Sequence, residues 1–417
     1  MTLISKYEHE SLKVGEETFK AKHLDLLSKF LGDKVGEDAP FSLIHNGVKF
    51  KQFVGVISVG DLQIEVLPKA DKNAGDAEKN IWESHLMEML RVVYKLKLKL
   101  PSKADQQVKR SPVLDVFLDR FMDEVEHLMH VGLVKTYRRV EDNRNALKGR
   151  LVMSKHIIKN MVHKERFYVE YTTYDRNHIF NRLLYKALRV IPDISTRSYT
   201  QNRAKTLLFE FPELNDIAVT DALFSRLSYD RKTEDYREAI ELAKLILLNY
   251  MPNLTYQRGN NVIALMFDMN KLWEEYVYIT LKRQLRTIDN KYTVGAQSLK
   301  EFWTSAKVGG KIVKPDIVVN YEDRCIAVLD TKWKCPKDGK PSDADLKQMF
   351  VYQDYWNTDK TALIYPGNAE TVEGHFMKDG STMAECDMYY LPIAVNSEER
   401  KTTLLDLSYL IKYLSPR

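Results

Sequence analysis

Cysteine is nearly absent. The three cysteines of the 417-residue chain, Cys325, Cys335 and Cys386, form no Cys-x-x-Cys pair. That excludes a disulfide framework and argues against a cysteine-based zinc site. Glycine is scarce as well, at 17 residues, and no Gly-x-x-x-x-Gly-Lys-Ser/Thr loop occurs. The chain is therefore not expected to hydrolyse a nucleotide through a P-loop of its own. No stretch approaches the ~18 uninterrupted apolar residues of a membrane span. The opening MTLISKYEHE has Glu and His where an export signal has its apolar core, so a soluble, cytoplasmic protein is expected. Nor does one sign of charge dominate. Lys plus Arg number 63 against 58 Asp plus Glu, a net charge of +5. A histone-like polycation is excluded, but a local basic cleft is not.

Apolar residues are 44% of the chain and aromatics 11%, enough to build real cores over two or three domains of roughly 150 residues. From Phe41 to Lys69 the pattern is β-like, with a hairpin turning at Gly60-Asp61. Residues 69–80 read as an exposed loop, 81–94 as a helix, and KLKLKL at 95–100 as a half-exposed strand before Pro101. Amphipathic helices are predicted at 112–131, with Pro112 in the first turn, at 178–190, and at 234–250, stopped by Pro252. The middle of the chain thus reads as mainly helical. After Asn253 come a helix at 269–286, strands near 292–299, 312–320 and 325–333, a helix at 343–357 and a strand at 361–366. The expected fold class is α+β and multidomain: β-rich over 1–110, helical over 111–250, and α/β with a central mixed sheet flanked by helices over 251–417.

Chemistry is concentrated in KPDIVVNYEDRCIAVLDTKWK, residues 314–334. Asp316 opens one apolar strand, Asp330 ends the next, and Lys332 follows on the same face. Two carboxylates and a lysine at strand ends suit metal-assisted phosphodiester hydrolysis. Carboxylate oxygens bind Mg²⁺, and the lysine orients the attacking water or helps to deprotonate it. The bare Asp/Glu-x-Lys spacing is unspecific, since it also occurs at Asp230/Lys232, Asp289/Lys291, Asp338/Lys340, Asp345/Lys347 and Glu399/Lys401. Only Asp330/Lys332 follows an apolar strand and a preceding Pro-Asp. In the 343–357 helix, Gln348 and Tyr352 share a face. Glu274, on the 269–286 helix, is a further candidate carboxylate. Asp175, Asn177, His178, Asn181 and Arg182 are expected to cap and brace a helix. Arg138, Arg139, Lys148 and Arg150 read as a solvated basic loop.

Six ordered motifs resemble one family. VGVISVGDLQIEVLPK (54–69), LKGRL (147–151) with YTTYDRNHIFNRLLYKAL (171–188), LWEEYV (272–277), PDIVV with LDTKWK, KQMFVY, and ALIYP are similar to McrC. McrC is the nuclease subunit of McrBC modification-dependent restriction systems and belongs to the PD-(D/E)xK nuclease superfamily. The resemblance implies a Mg²⁺-dependent endonuclease (Mn²⁺ a possible substitute) with Asp316, Asp330 and Lys332 catalytic and Glu274 and Gln348 in support. Asp316, Asp330, Glu274 and the backbone carbonyl of Thr331 would hold the metal. Thr331 stands where the family often has Ala, and only its carbonyl is expected to matter. The resemblance also implies a partner, a McrB-like AAA+ GTPase ring that uses GTP, recognises modified cytosine in double-stranded DNA and is stimulated when the McrC-like chain docks. Residues 1–110 would then dock and 251–417 cut. Two other readings fit the residues: a stand-alone nuclease for branched or single-stranded DNA, and a non-catalytic activator of an AAA+ motor.

Overall fold

The hairpin expected near the start forms where the turn chemistry allows it. β5 (Phe53–Val59) and β6 (Leu62–Leu67) are joined through Gly60, whose φ of +57° is a backbone angle that L side chains rarely adopt. The computed structural model describes residues 2–32, 39–68, 85–86, 88–93, 113–195, 197–251, 262–305, 309–334, 336, 339–367, 369–391 and 407–415. The expected loop at 69–80 and strand at 95–100 lie outside these residues, as do Pro101, Pro112, Pro252 and the ends of the 81–94 helix, of which 85–86 and 88–93 are helical.

The chain forms two compact units, one of residues 58–61 and 106–265, the other of 2–57, 62–105 and 266–417. In the second unit the first forty residues, which carry no motif, make β1 (Thr2–Tyr7), β2 (Ser11–Lys13) and α1 (Ala21–Gly32). β1 runs parallel to β6, with Thr2 opposite Leu62 and Tyr7 opposite Leu67. Every residue of β6 is buried, Gln63 and Glu65 included. α1 buries Leu26, Leu27 and Phe30, and Phe30 stacks on Phe41 of β3 (Phe41–Ile44). β3 and β2 flank β4 (Gly47–Phe50) in a small antiparallel sheet.

The first unit holds the expected helices α2 (Val113–Val131), α4 (Ile179–Ile194) and α7 (Arg237–Asn249), with the short α3 (Met153–Lys159), α5 (Ser198–Glu210) and α6 (Asp221–Ser225). It is not only helical, which corrects the expected helical middle. β7 (Thr136–Arg144), β8 (Arg150–Leu151) and β9 (Phe167–Asp175) form an antiparallel sheet in the order β7-β9-β8. A signal lay in FYVEYTTYD, rich in the β-branched and aromatic residues that strands favour; TYRRVEDNR, with six charged or amide residues of nine, carries none. β10 (Tyr250–Met251) pairs antiparallel with the start of β11 (Val262–Asp268).

In the second unit, Asp268 caps α8 (Met269–Ile288) by accepting from the Asn270 and Lys271 amides. A six-stranded mixed sheet follows, ordered β12-β15-β16-β17-β19-β18. Its members are β12 (Tyr292–Ala296), β15 (Ile317–Tyr321), β16 (Arg324–Thr331), β17 (Lys360–Pro366), β18 (His375–Lys378) and β19 (Ser381–Leu391). Helix α9 (Asp343–Trp356) connects the parallel neighbours β16 and β17, and α10 (Ser408–Tyr413) ends the described chain. The expected 312–320 strand is in fact two. β14 (Gly309–Val313) pairs with β13 (Lys300–Ser305) in a separate ribbon, and β15 begins only after a break at 314–316.

Candidate active site

Alternation along β15 and β16 decides which residues meet. Val318 and Val328 point to one face of the sheet, into a core with Met349, Tyr352 and Trp356 of α9. Side chains two residues on share that face, so Asp316, Asp330 and Lys332 are directed to the α9 side. The antiparallel register sets Ile317 opposite Leu329. One further step brings Asp316, in the break before β15, opposite Asp330 at the end of β16. Both carboxylates thus stand at the carboxyl end of β16, where open α/β sheets place their ligands.

Asp316 is held by its neighbour strand. Its Oδ2 accepts from the Thr331 amide at 2.7 Å and from the Thr331 hydroxyl at 2.8 Å. The Thr331 hydroxyl thus orients Asp316, a function Ala would lack. From β12's end, the Gln297 amide donates to the Asp316 carbonyl and Gln297 Nε2 to Glu274 Oε1 at 2.8 Å, bracing both acids. Burial, then the neighbouring Asp316 charge, push the Glu274 carboxyl up. Glu274 thus faces the same cluster.

Asp330 is only 2% exposed. Its Oδ2 lies 2.7 Å from Lys332 Nζ, off the axis of an aligned hydrogen bond. Burial, reinforced by Asp316 and opposed by Lys332, pushes its carboxyl up to about 7. Lys332 Nζ also lies 3.2 Å from Asp345 Oδ1 and 3.4 Å from Gln348 Oε1. Burial acts to lower the Lys332 pKa, but Asp330 and Asp345 outweigh it and hold the amine cationic. Asp345 is part of the site, though its own Asp-x-Lys spacing carries no signal. Ser342 caps α9 by accepting from the Asp345 amide, while its hydroxyl donates to Asp345 Oδ2 at 2.6 Å. Gln348 Nε2 donates to Tyr352 Oη at 2.6 Å and weakly to Asp330 Oδ1 at 3.4 Å, and the Tyr352 hydroxyl donates to the Lys314 carbonyl at 2.9 Å.

A divalent oxygen-seeking cation fits this donor set. Among the described residues no three His, Cys, Asp or Glu side chains form a ready-made cage. Mg²⁺ needs none, since it binds through one or two carboxylates and keeps several waters. The mutual repulsion of Asp316 and Asp330, and the unaligned buried Oδ2 of Asp330, are what such a cation relieves.

Below the site, Trp333 is buried and its Nε1 donates to Glu8 Oε1 at 2.7 Å, while its ring packs edge-on against Trp273, 5.8 Å away. Trp273 Nε1 in turn donates to the Ile364 carbonyl of β17. No spacing rule links Glu8 to Trp333 across 325 positions.

The central-signature residues brace, as expected. His178 caps α4 through the Phe180 amide. Asn181 is fully buried, donates to the Val134 and Arg176 carbonyls and accepts from the Tyr236 hydroxyl. Arg182 donates to the Asn215 and Asp216 carbonyls, and Asp175 pairs with Arg138 and accepts from the Asn177 amide.

A mixed α+β chain carrying paired carboxylates and a lysine at the end of an inner strand defines the class. A family model described as McrBC 5-methylcytosine restriction system component matches residues 48–366, and the chain belongs to that family. It is McrC-like, as the motifs implied. No curated protein matches. Among solved structures, a chain of the refined half-complex from the tetradecameric assembly of Thermococcus gammatolerans McrB AAA+ hexamers with bound McrC is 22% identical. It has a TM-score of 0.65, and the match covers 96% of this chain and 97% of that one. A chain of the cryo-EM structure of the Thermococcus gammatolerans McrBC complex is also 22% identical, with a TM-score of 0.49 over 68% of this chain and 88% of that one. The first of these likenesses establishes a common fold.

Proposed function

We propose that this chain is the Mg²⁺-dependent DNA endonuclease subunit of a McrBC-type restriction complex, with a PD-(D/E)xK centre formed by Asp316, Asp330 and Lys332. The observation that carries the reading is the β15–β16 register, which sets the two acids opposite one another with the Lys332 amine 2.7 Å from Asp330. Asp316, Asp330 and the Thr331 carbonyl would hold Mg²⁺, or Mn²⁺ in its place, with Glu274 in support. When bound, the metal supplies neutralisation of phosphate charge and a more acidic water. Lys332, kept cationic by Asp330 and Asp345, orients that water and stabilises charge on the phosphate. As a cation it donates protons in hydrogen bonds and does not act as the base. Gln348, fixed by Tyr352, faces the scissile phosphate and its nucleotide.

The partner in this reading is a McrB-like AAA+ GTPase ring that reads modified cytosine in double-stranded DNA and consumes the GTP. We assign docking to the unit of residues 106–265 and not to residues 1–110, whose β1 and Glu8 are built into the unit that holds the catalytic sheet. In the 106–265 unit, Leu147, Met153, Ile157, Ile158, Met161 and Val162 are each more than half exposed. An apolar surface of that kind calls for a protein partner. The test is to add wild type or Asp330→Ala to the partner and follow both reactions. Asp330→Ala should lose DNA cleavage and still accelerate GTP hydrolysis. Loss of both together would refute the division into docking and cutting surfaces, and normal cleavage would refute the active site.

A further inference from the structure

The β13–β14 ribbon stands apart from the six-stranded sheet. All its described residues are exposed except Ser305 and Val313, which are half-buried. An isolated two-stranded ribbon is marginal in water, and this one is pinned at its base to α9. Lys300 Nζ donates to the Tyr355 carbonyl at 2.5 Å, the Tyr355 hydroxyl donates to the Phe302 carbonyl at 3.4 Å, and the two rings lie 5.9 Å apart. Even so, it displays large apolar side chains to solvent: Phe302 and Trp303 are each 49% exposed and Ile312 58%. The pairing slips between Glu301 and Trp303, an irregularity of the kind that re-aims a side chain beside active sites.

Charge and connection identify the occupant. Residues 300–314 contain four lysines and a single glutamate, and Lys311 and Lys314 are exposed. Protein–protein interface cores are depleted in lysine, whereas phosphate contacts are made by it. The ribbon also runs straight into the catalytic centre. β14 ends three residues before Asp316, and the Lys314 carbonyl is held by Tyr352, the residue that fixes Gln348. A two-stranded ribbon matches the width of the DNA major groove.

Resting on the nuclease reading above, we infer that the ribbon is a contact for double-stranded DNA beside the scissile phosphate. Trp303 lies against sugar and base edges, and Lys311 and Lys314 on phosphates.

Anisotropy of a labelled duplex titrated with the full-length chain in EDTA separates binding from cutting. Trp303→Ala should weaken binding roughly tenfold, as loss of one aromatic contact to a base does, and Trp303→Phe should restore most of it. Lys311→Ala should reduce the slope of log affinity against log salt by about one. Wild-type affinity in Trp303→Ala with an unchanged slope in Lys311→Ala would overturn the inference. So would a change in association state, by sedimentation, with DNA affinity intact, because the ribbon would then be a protein contact. The nuclease reading fails differently, through normal cleavage by Asp330→Ala. A wild-type chain that binds no duplex at all would overturn the inference and leave the nuclease reading, in which the partner recognises the DNA, to the cleavage test.

Discussion

The six-stranded sheet and the small β7-β9-β8 sheet use the same period-2 alternation to opposite ends. In the first, β15, β16 and β17 are largely buried, and the buried acid Asp330 is surrounded by fixed donors and charges. In the second, β7 is nowhere fully buried, and its charges pair across the sheet surface, as Arg150 does with Glu170 and Arg138 with Asp175. Burial makes a carboxylate's charge expensive and therefore responsive to a cation, a proton or a neighbouring charge. Exposure leaves the same residue types screened by water and energetically quiet. The proposed chemistry belongs to the first setting and the proposed partner docking to the second.

Substitutions can break or sharpen that contrast. The largest effect is expected from Asp330→Ala, with cleavage falling by about a thousandfold or more, since a buried charge-stabilising group is removed. A rate within tenfold of wild type would show that burial there serves only structure.

Next comes the proton. The Asp330 carboxyl, pushed up to about 7, binds a proton more tightly folded than unfolded. The stability it contributes is complete below the ordinary carboxylate range and is lost as pH rises through about 7. In EDTA, wild type should therefore fall behind Asp330→Asn in melting temperature on going from pH 5 to pH 8. A gap that did not change with pH would refute it. Protons would also compete with the proposed metal at this carboxylate, so Mg²⁺-dependent cleavage should decline as pH drops below about 7.

Thr331→Val removes one of the two donors to Asp316 and should slow cleavage roughly tenfold, the value of about one hydrogen bond. Thr331→Ser should keep most of the rate. Equal rates in the two variants would leave the hydroxyl without a role in positioning.

The smallest effects on stability belong to the exposed sheet and to α3, which packs beside β9. Arg150→Ala should change unfolding free energy by no more than about 0.5 kcal/mol in a denaturant melt. Ile158→Asp should be equally mild for stability and yet abolish stimulation of the partner's GTP hydrolysis. Unfolding of Ile158→Asp would mean that the residue belongs to a core and not to a docking surface.

The sequence by itself determined what is local. The apolar runs around Asp316 and Asp330, the two-residue step to Lys332, the four-residue step from Gln348 to Tyr352 and the turn at Gly60 follow from strand, helix and turn geometry, which operate over a few residues. The β9 strand was legible in the same way, through its β-branched and aromatic residues, whereas the charge-rich β7 became a strand only by pairing with it. What only the tertiary structure decided is which distant groups meet these. Asp345 reaches Lys332 because α9 crosses back over the sheet between two parallel strands. Gln297 braces Asp316 and Glu274 because β12 lies beside β15, and Glu8 supports Trp333 from the far end of the chain. Periodicity says which face a side chain takes, but the neighbour on that face is set by packing of the whole core, and no spacing in the chain records it.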